Sequence, residues 1–243
     1  MHSLIFIVFK FCLHMKKNLV NITGIILLIT ACFYFTAEAQ STNAAIKKLT
    51  KQRDDFINKI KSLGFIPKLS APAIVFNNPP SFGNYDDSAN KLEMSDWETM
   101  KPELKEFFNA AAKQIGKGET GKSYFEKSIY QWVFIHELGH WWATGQRLKR
   151  DHYKSEMAAN RIAAAYWRKM DASLPGLILS GCKMTIASIS GVVPEGYNKE
   201  NFFNSNYDKL IGTPAYSWYQ AIMIIDAFNE LPKPTFKKAI AAE

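Results

Sequence analysis

Residues 136–140 read His-Glu-Leu-Gly-His, late in a stretch of helical apolar period that runs from about Tyr124 to Thr144 and closes at Gly145. Side chains four apart on an α-helix stand one above the other. This spacing therefore asks for a helix here, with both imidazoles within reach of one metal ion. Glu137 lies about 100° around that helix from His136, near enough to touch a water on the metal without ligating the metal itself. Zinc lowers the pKa of such a water to about 7, and a carboxylate can take its proton as the water attacks a carbonyl. The plainer reading is a pair of hydrogen-bonded helix histidines with a surface glutamate. Against it, the three histidines beyond position 40 (His136, His140 and His152) all fall between positions 136 and 152.

A second motif competes. Gly116-Lys117-Gly118-Glu119-Thr120-Gly121-Lys122-Ser123 is a literal GxxxxGKS, whose amides would cradle phosphates while Lys122 reaches the terminal ones and Ser123 binds Mg²⁺. Ile222 to Asp226 imitates the apolar run and Asp that accompany such loops. A phosphate loop follows a buried strand, however, and Leu104, Phe107, Phe108, Ala111, Ala112 and Ile115 carry a helical period. Ile222–Asp226 likewise continues a helical pattern with Trp218 and Phe228. The octad is read as a flexible glycine-rich turn.

A catalytic zinc takes a third protein ligand and keeps a position open for water. The metzincin pattern would place that ligand at Gln146 and a glycine at Ala143, so it is excluded. Downstream, Glu156-Met157-Ala158-Ala159-Asn160-Arg161 opens the next helical stretch. HExxH followed by ExxAN resembles the gluzincin-type metallopeptidases over about residues 126–170. The resemblance implies Zn²⁺ held by His136, His140 and Glu156, with Glu137 as general base. It implies that Asn160 stands for the family's carboxylate that orients a ligand histidine, without that group's charge.

It further implies a zincin-like α+β fold, with a small mixed sheet beside the active-site helix and an edge strand that pairs with extended substrate. Lys91–Met94 is the candidate for that edge, a plain structural strand being the alternative. A transition-state donor is also implied, and Tyr153, Tyr197, Tyr207, Tyr216 and Tyr219 are all eligible. His152 competes with Glu156 as third ligand. With Ser155 as N-cap, Glu156 enters the first helical turn and His152 stays outside, on a charged connector 147–154. Trp141 and Trp142 are read as core, and Arg147, Lys149, Arg150 and Lys154 as a solvated loop.

The rest of the chain sets the frame. Met15-Lys16-Lys17, the apolar run Leu19–Phe35 and Ala37-Glu38-Ala39 have the parts of a signal peptide over 1–39, with 1–14 a start-site overcall. An uncleaved membrane anchor and a lipidated Cys32 are the alternatives. Residues 40–243 are then one exported domain, periplasmic or extracellular. Of 243 residues, 47% are hydrophobic and 21% charged, which excludes a disordered or coiled-coil chain. The three cysteines make neither a disulfide framework nor a CxxC site, so Cys182 reads as a small buried residue. The net charge of +8 is spread along the sequence and marks no nucleic-acid footprint.

Helical spacing over Ile46–Leu63 stops at Gly64. Ala73–Phe76 and Lys91–Met94 read as short strands around a turn at 77–83. Glu156–Met170 and the segment after Pro214 read as helices, while Leu174–Val193 is apolar and broken by glycines. The expectation is a monomeric, exported zinc metallopeptidase acting on a peptide or protein. The rivals are a catalytically silent zinc fold serving as a binding module and a nucleotide-binding protein through Gly116–Ser123.

Overall fold

The computed structural model describes residues 42–116 and 118–241. The expectations for 1–39, including the leader and Cys32, lie outside them. The chain divides into the units Met1–Ala45 and Ile46–Glu243, and every site residue belongs to the second. No helix among the described residues is long and apolar enough to cross a membrane.

The architecture is α+β, mostly helical with one three-stranded sheet. Helix α1 covers 42–62 and gives way at Gly64, whose φ of 88° is a left-handed stop. It buries Leu49, Phe56 and Ile60 completely. The sheet comprises β1 (Ala73–Phe76), β2 (Gly83–Asp86) and β3 (Lys91–Met94) in the order β1-β3-β2. β1 runs parallel to β3, with Ala73 opposite Lys91, and β2 runs antiparallel, with Gly83 opposite Met94.

Lys91–Met94 is therefore the central strand, which corrects its assignment as the edge. A tight turn held by Asp86, whose Oδ1 accepts from the Ser88 and Ala89 amides, folds β2 back onto one side of β3 while β1 fills the other. The edge strand beside the site is β2.

Helix α2 (Pro102–Ile115) follows, with proline in its first turn, then α3 (Gly121–Phe125). The chain continues through a π-helical stretch, Glu126–Val133, into α4 (Phe134–Gly145). The single expected helix over 124–144 is thus continuous but widened in its first half, a feature that recurs beside functional sites. Helix α5 (His152–Met170) is capped by Asp151, whose side chain accepts from the Lys154 amide at 2.9 Å.

That cap corrects two expectations. Ser155 is not the N-cap, and His152 and Lys154 belong to the helix rather than to a connector. Helices α6 (Leu174–Ser188), α7 (Lys199–Leu210), α8 (Pro214–Asn229) and α9 (Phe236–Ala241) complete the fold. Cys182 is buried on α6, as expected. Trp141 and Trp142 are core residues whose indoles donate to the carbonyls of Ser70 and Ile240.

Two glycines set how closely the site elements approach. At Gly139 an added Cβ would stand 3.0 Å from the Ala159 Cα, so α4 lies directly on α5. At Gly83 it would meet Val133 Cγ1 at 2.5 Å and Glu137 Cγ at 3.4 Å, which presses β2 against the motif helix. Overpacking a tight contact forces backbone shifts worth about 1–3 kcal/mol. Gly139→Val is accordingly expected to lower unfolding free energy by that amount and to weaken metal binding, measured by denaturant titration and by metal competition.

Candidate metal centre

The two histidines come from consecutive turns of α4 and Glu156 from the second turn of α5, across the contact that Gly139 permits. His136 Nε2, His140 Nε2 and Glu156 Oε2 lie together: 3.1 Å separates the two nitrogens, 3.0 Å separates His136 from Glu156, and 3.5 Å separates His140 from Glu156. The ligand atoms of all three residues fall within 4.8 Å of one another, and the group is largely buried. Two imidazole nitrogens and one carboxylate oxygen turned toward a common point form a donor set that can hold a metal ion. His152 does not join them. Its ring stacks on Tyr207, centroids 3.9 Å apart.

The surrounding hydrogen bonds fix the direction of each ligand. Asn160 Oδ1 lies 3.0 Å from His136 Nδ1. An amide oxygen only accepts, so the proton sits on Nδ1 and the Nε2 lone pair is left for the metal. The Asn160 amide donates to Gln220 Oε1 at 3.1 Å. Gln220 Nε2 in turn donates to Glu156 Oε2 at 2.7 Å and to the Tyr216 hydroxyl at 3.0 Å. The other Glu156 oxygen accepts from Tyr207 at 2.9 Å and from Tyr216 at 3.3 Å. Ser155 Oγ lies 3.3 Å from His140 Nδ1. Outer partners of this kind typically contribute 10–100-fold to metal affinity. Asn160→Ala is expected to cost about that factor, read by competition with a chromophoric chelator.

Burial alone would raise the Glu156 carboxyl, but the neighbouring His140 and His136 imidazoles outweigh it and hold the group well below the usual range. Glu137 behaves oppositely. Burial lifts its carboxyl above the ordinary value, with only partial relief from His136 and His140. Its Oε2 accepts from the Tyr85 amide on the outer edge of β2 at 2.9 Å. The Tyr207 and Tyr216 hydroxyls are both raised, first by burial and then by the Glu156 charge, so both stay protonated donors.

All five residues assigned from the sequence meet at this centre: His136, Glu137, His140, Glu156 and Asn160. Of the five tyrosines, only Tyr207 and Tyr216 reach it. Tyr219 donates to the Lys199 carbonyl, Tyr153 packs on Phe203, and Tyr197 is exposed against Phe202. Sequence reasoning missed Gln220 and the Tyr85 amide. Gln220 lies 64 positions beyond Glu156, and nothing in the sequence ties it to the motif.

The GxxxxGKS octad spans the link from α2 to α3, with a helix before it where a phosphate loop needs a strand. Lys122 Nζ bonds Glu98 at 2.6 Å, and Ser123 Oγ donates to Glu119 at 2.6 Å. Ile222–Asp226 lies inside α8. Comparison with protein-family models, with curated proteins and with solved structures found no match to this chain.

Proposed function

We propose that this chain is an exported, monomeric zinc peptidase with a zincin-like fold of gluzincin type, which hydrolyses amide bonds in a peptide or protein. The observation that carries the reading is the convergence of His136, His140 and Glu156, with Glu137 beside them but turned away to the Tyr85 amide. His136, His140 and Glu156 would hold the zinc, and zinc supplies Lewis acidity, polarising a carbonyl and acidifying water.

The remaining chemistry belongs to the chain. Glu137, raised by burial, is poised to take a proton from water and to pass it to the departing amide nitrogen. The Tyr85 amide engages Oε2 and leaves Oε1 for that proton. Tyr207 and Tyr216 each give their one O–H to Glu156, and the longer bond of Tyr216, 3.3 Å, makes it the hydroxyl that would turn to the charge developing on the carbonyl oxygen. The outer edge of β2, beside Glu137, is the strand on which an extended substrate would lie.

Purified protein is expected to hold about one zinc per chain by elemental analysis and to cleave members of a peptide library. Cleavage should stop on chelation and return with zinc. Zinc without cleavage would favour the silent binding module, and a protein that takes up no zinc would overturn the reading.

A further inference from the structure

Two cavities meet at Glu137, and they differ in character. The smaller, about 190 Å³, is polar and bordered by Asn84, Asp87, His140, Ser155 and Tyr207. The larger, about 460 Å³, opens between α2, the π-helical stretch, α6 and α8. Phe82, Phe107, Trp132, Ile178, Cys182 and Ile224 are among its walls. No lysine, arginine or aspartate occurs among the described residues that line it, and Glu137 is its one carboxylate. Ser81, Glu137 and Tyr216 border both spaces. A group seated in the large cavity is thus attached very near the bond presented to Glu137.

Size and wall chemistry narrow the occupant. A dry apolar cavity of about 150 Å³ accepts benzene, and this one is about three times larger. One phenyl ring would leave most of it unfilled, which forfeits contacts on every open side. An anion would meet no lysine or arginine there, and a cation only Glu137, which the chemistry engages; the remaining polar walls are neutral hydroxyls and amides such as Ser128, Thr185 and Ser217. Phe82, Phe107, Tyr124 and Trp132 offer ring faces and edges to an aromatic guest.

We propose that this cavity is the specificity pocket for a two-ring aromatic side chain, of tryptophan size, on the substrate residue adjoining the scissile bond, with polar residues on the other side of that bond. The proposal rests on the peptidase reading, and its test has one arm that does not.

In the first arm, zinc-loaded protein is given peptides that differ only beside the scissile bond. Tryptophan there is expected to raise kcat/KM about 100-fold over alanine and several-fold over phenylalanine, with lysine and aspartate poorest. In the second, the protein as purified is titrated, with no peptide present, with the neutral dye N-phenyl-1-naphthylamine. Saturable binding is expected, competed by N-acetyltryptophanamide, and weakened more than tenfold by Thr185→Phe on α6. Ile224→Trp on α8 serves as an independent filling variant, and circular dichroism checks that each variant is folded.

Cleavage indifferent to the adjoining residue, or dye binding untouched by both folded variants, would overturn the pocket. A decanoyl chain preferred over tryptophan would overturn its aromatic assignment. Dye binding lost on filling, with no peptide cleaved at all, would support the pocket and reject the peptidase reading.

Discussion

Glu137→Gln is expected to leave zinc bound with near wild-type affinity and to lower peptide hydrolysis at least about 100-fold. The substitution keeps the shape of the side chain, and the amide oxygen can still accept from the Tyr85 amide. The three ligand atoms belong to other residues and keep their partners. What disappears is the group that accepts a proton from water, and nothing nearby replaces it. Tyr207 and Tyr216 are held as protonated donors, and Glu156 is committed to the two imidazoles and three neutral donors. Elemental analysis beside single-turnover cleavage checks both halves. Wild-type cleavage by the variant would remove Glu137 from the base role.

Glu156→Ala should have the largest effect on the metal, lowering zinc affinity by orders of magnitude and abolishing cleavage. It removes an oxygen ligand and also strands the Tyr207, Tyr216 and Gln220 donors, each buried group losing its acceptor at about 1–3 kcal/mol. His152→Ala is the control. His152 stands one helical turn before Glu156, but its ring is stacked on Tyr207 and lies outside the His136–His140–Glu156 group, so zinc affinity should change little. Zinc lost with His152 and kept without Glu156 would point instead to a three-histidine site.

The ligands were legible in the sequence because they obey a local rule. His136 with His140, and Glu156 with Asn160, are pairs four apart on two consecutive helices, and helical period carries such information well. The cap of α5 was harder. Asp151 and Ser155 are both good caps, and it is Asp151 that takes the Lys154 amide and binds the Lys154 ammonium as well, at 2.8 Å. That choice adds a turn and moves His152 onto the helix.

Strand β2 was hidden by its own composition. Gly83 reads as the end of the 77–83 turn and Asn84-Tyr85-Asp86 has no strand-like apolar alternation, and only the close approach to Val133 and Glu137 explains why glycine opens a strand. Gln220, and the choice of Tyr207 and Tyr216 among the five eligible tyrosines, were illegible for another reason. They reach Glu156 from more than 50 positions downstream, where no spacing rule connects them to the motif.

That long reach has a consequence for how the protein holds together. The bonds from Tyr207, Tyr216 and Gln220 end on Glu156, a candidate ligand, so α7 and α8 are tied to α5 at the site as well as through the apolar cluster of Phe203 and Tyr219 with Met157. Loss of the metal would leave His136, His140 and Glu156 facing one another across a space they no longer share, and the tie would loosen at its centre. If the site holds zinc as proposed, the ion is a folding ligand whose concentration raises the apparent melting temperature, and its release is expected to loosen α7 and α8. A protein built this way would report zinc scarcity by becoming easier to unfold and digest.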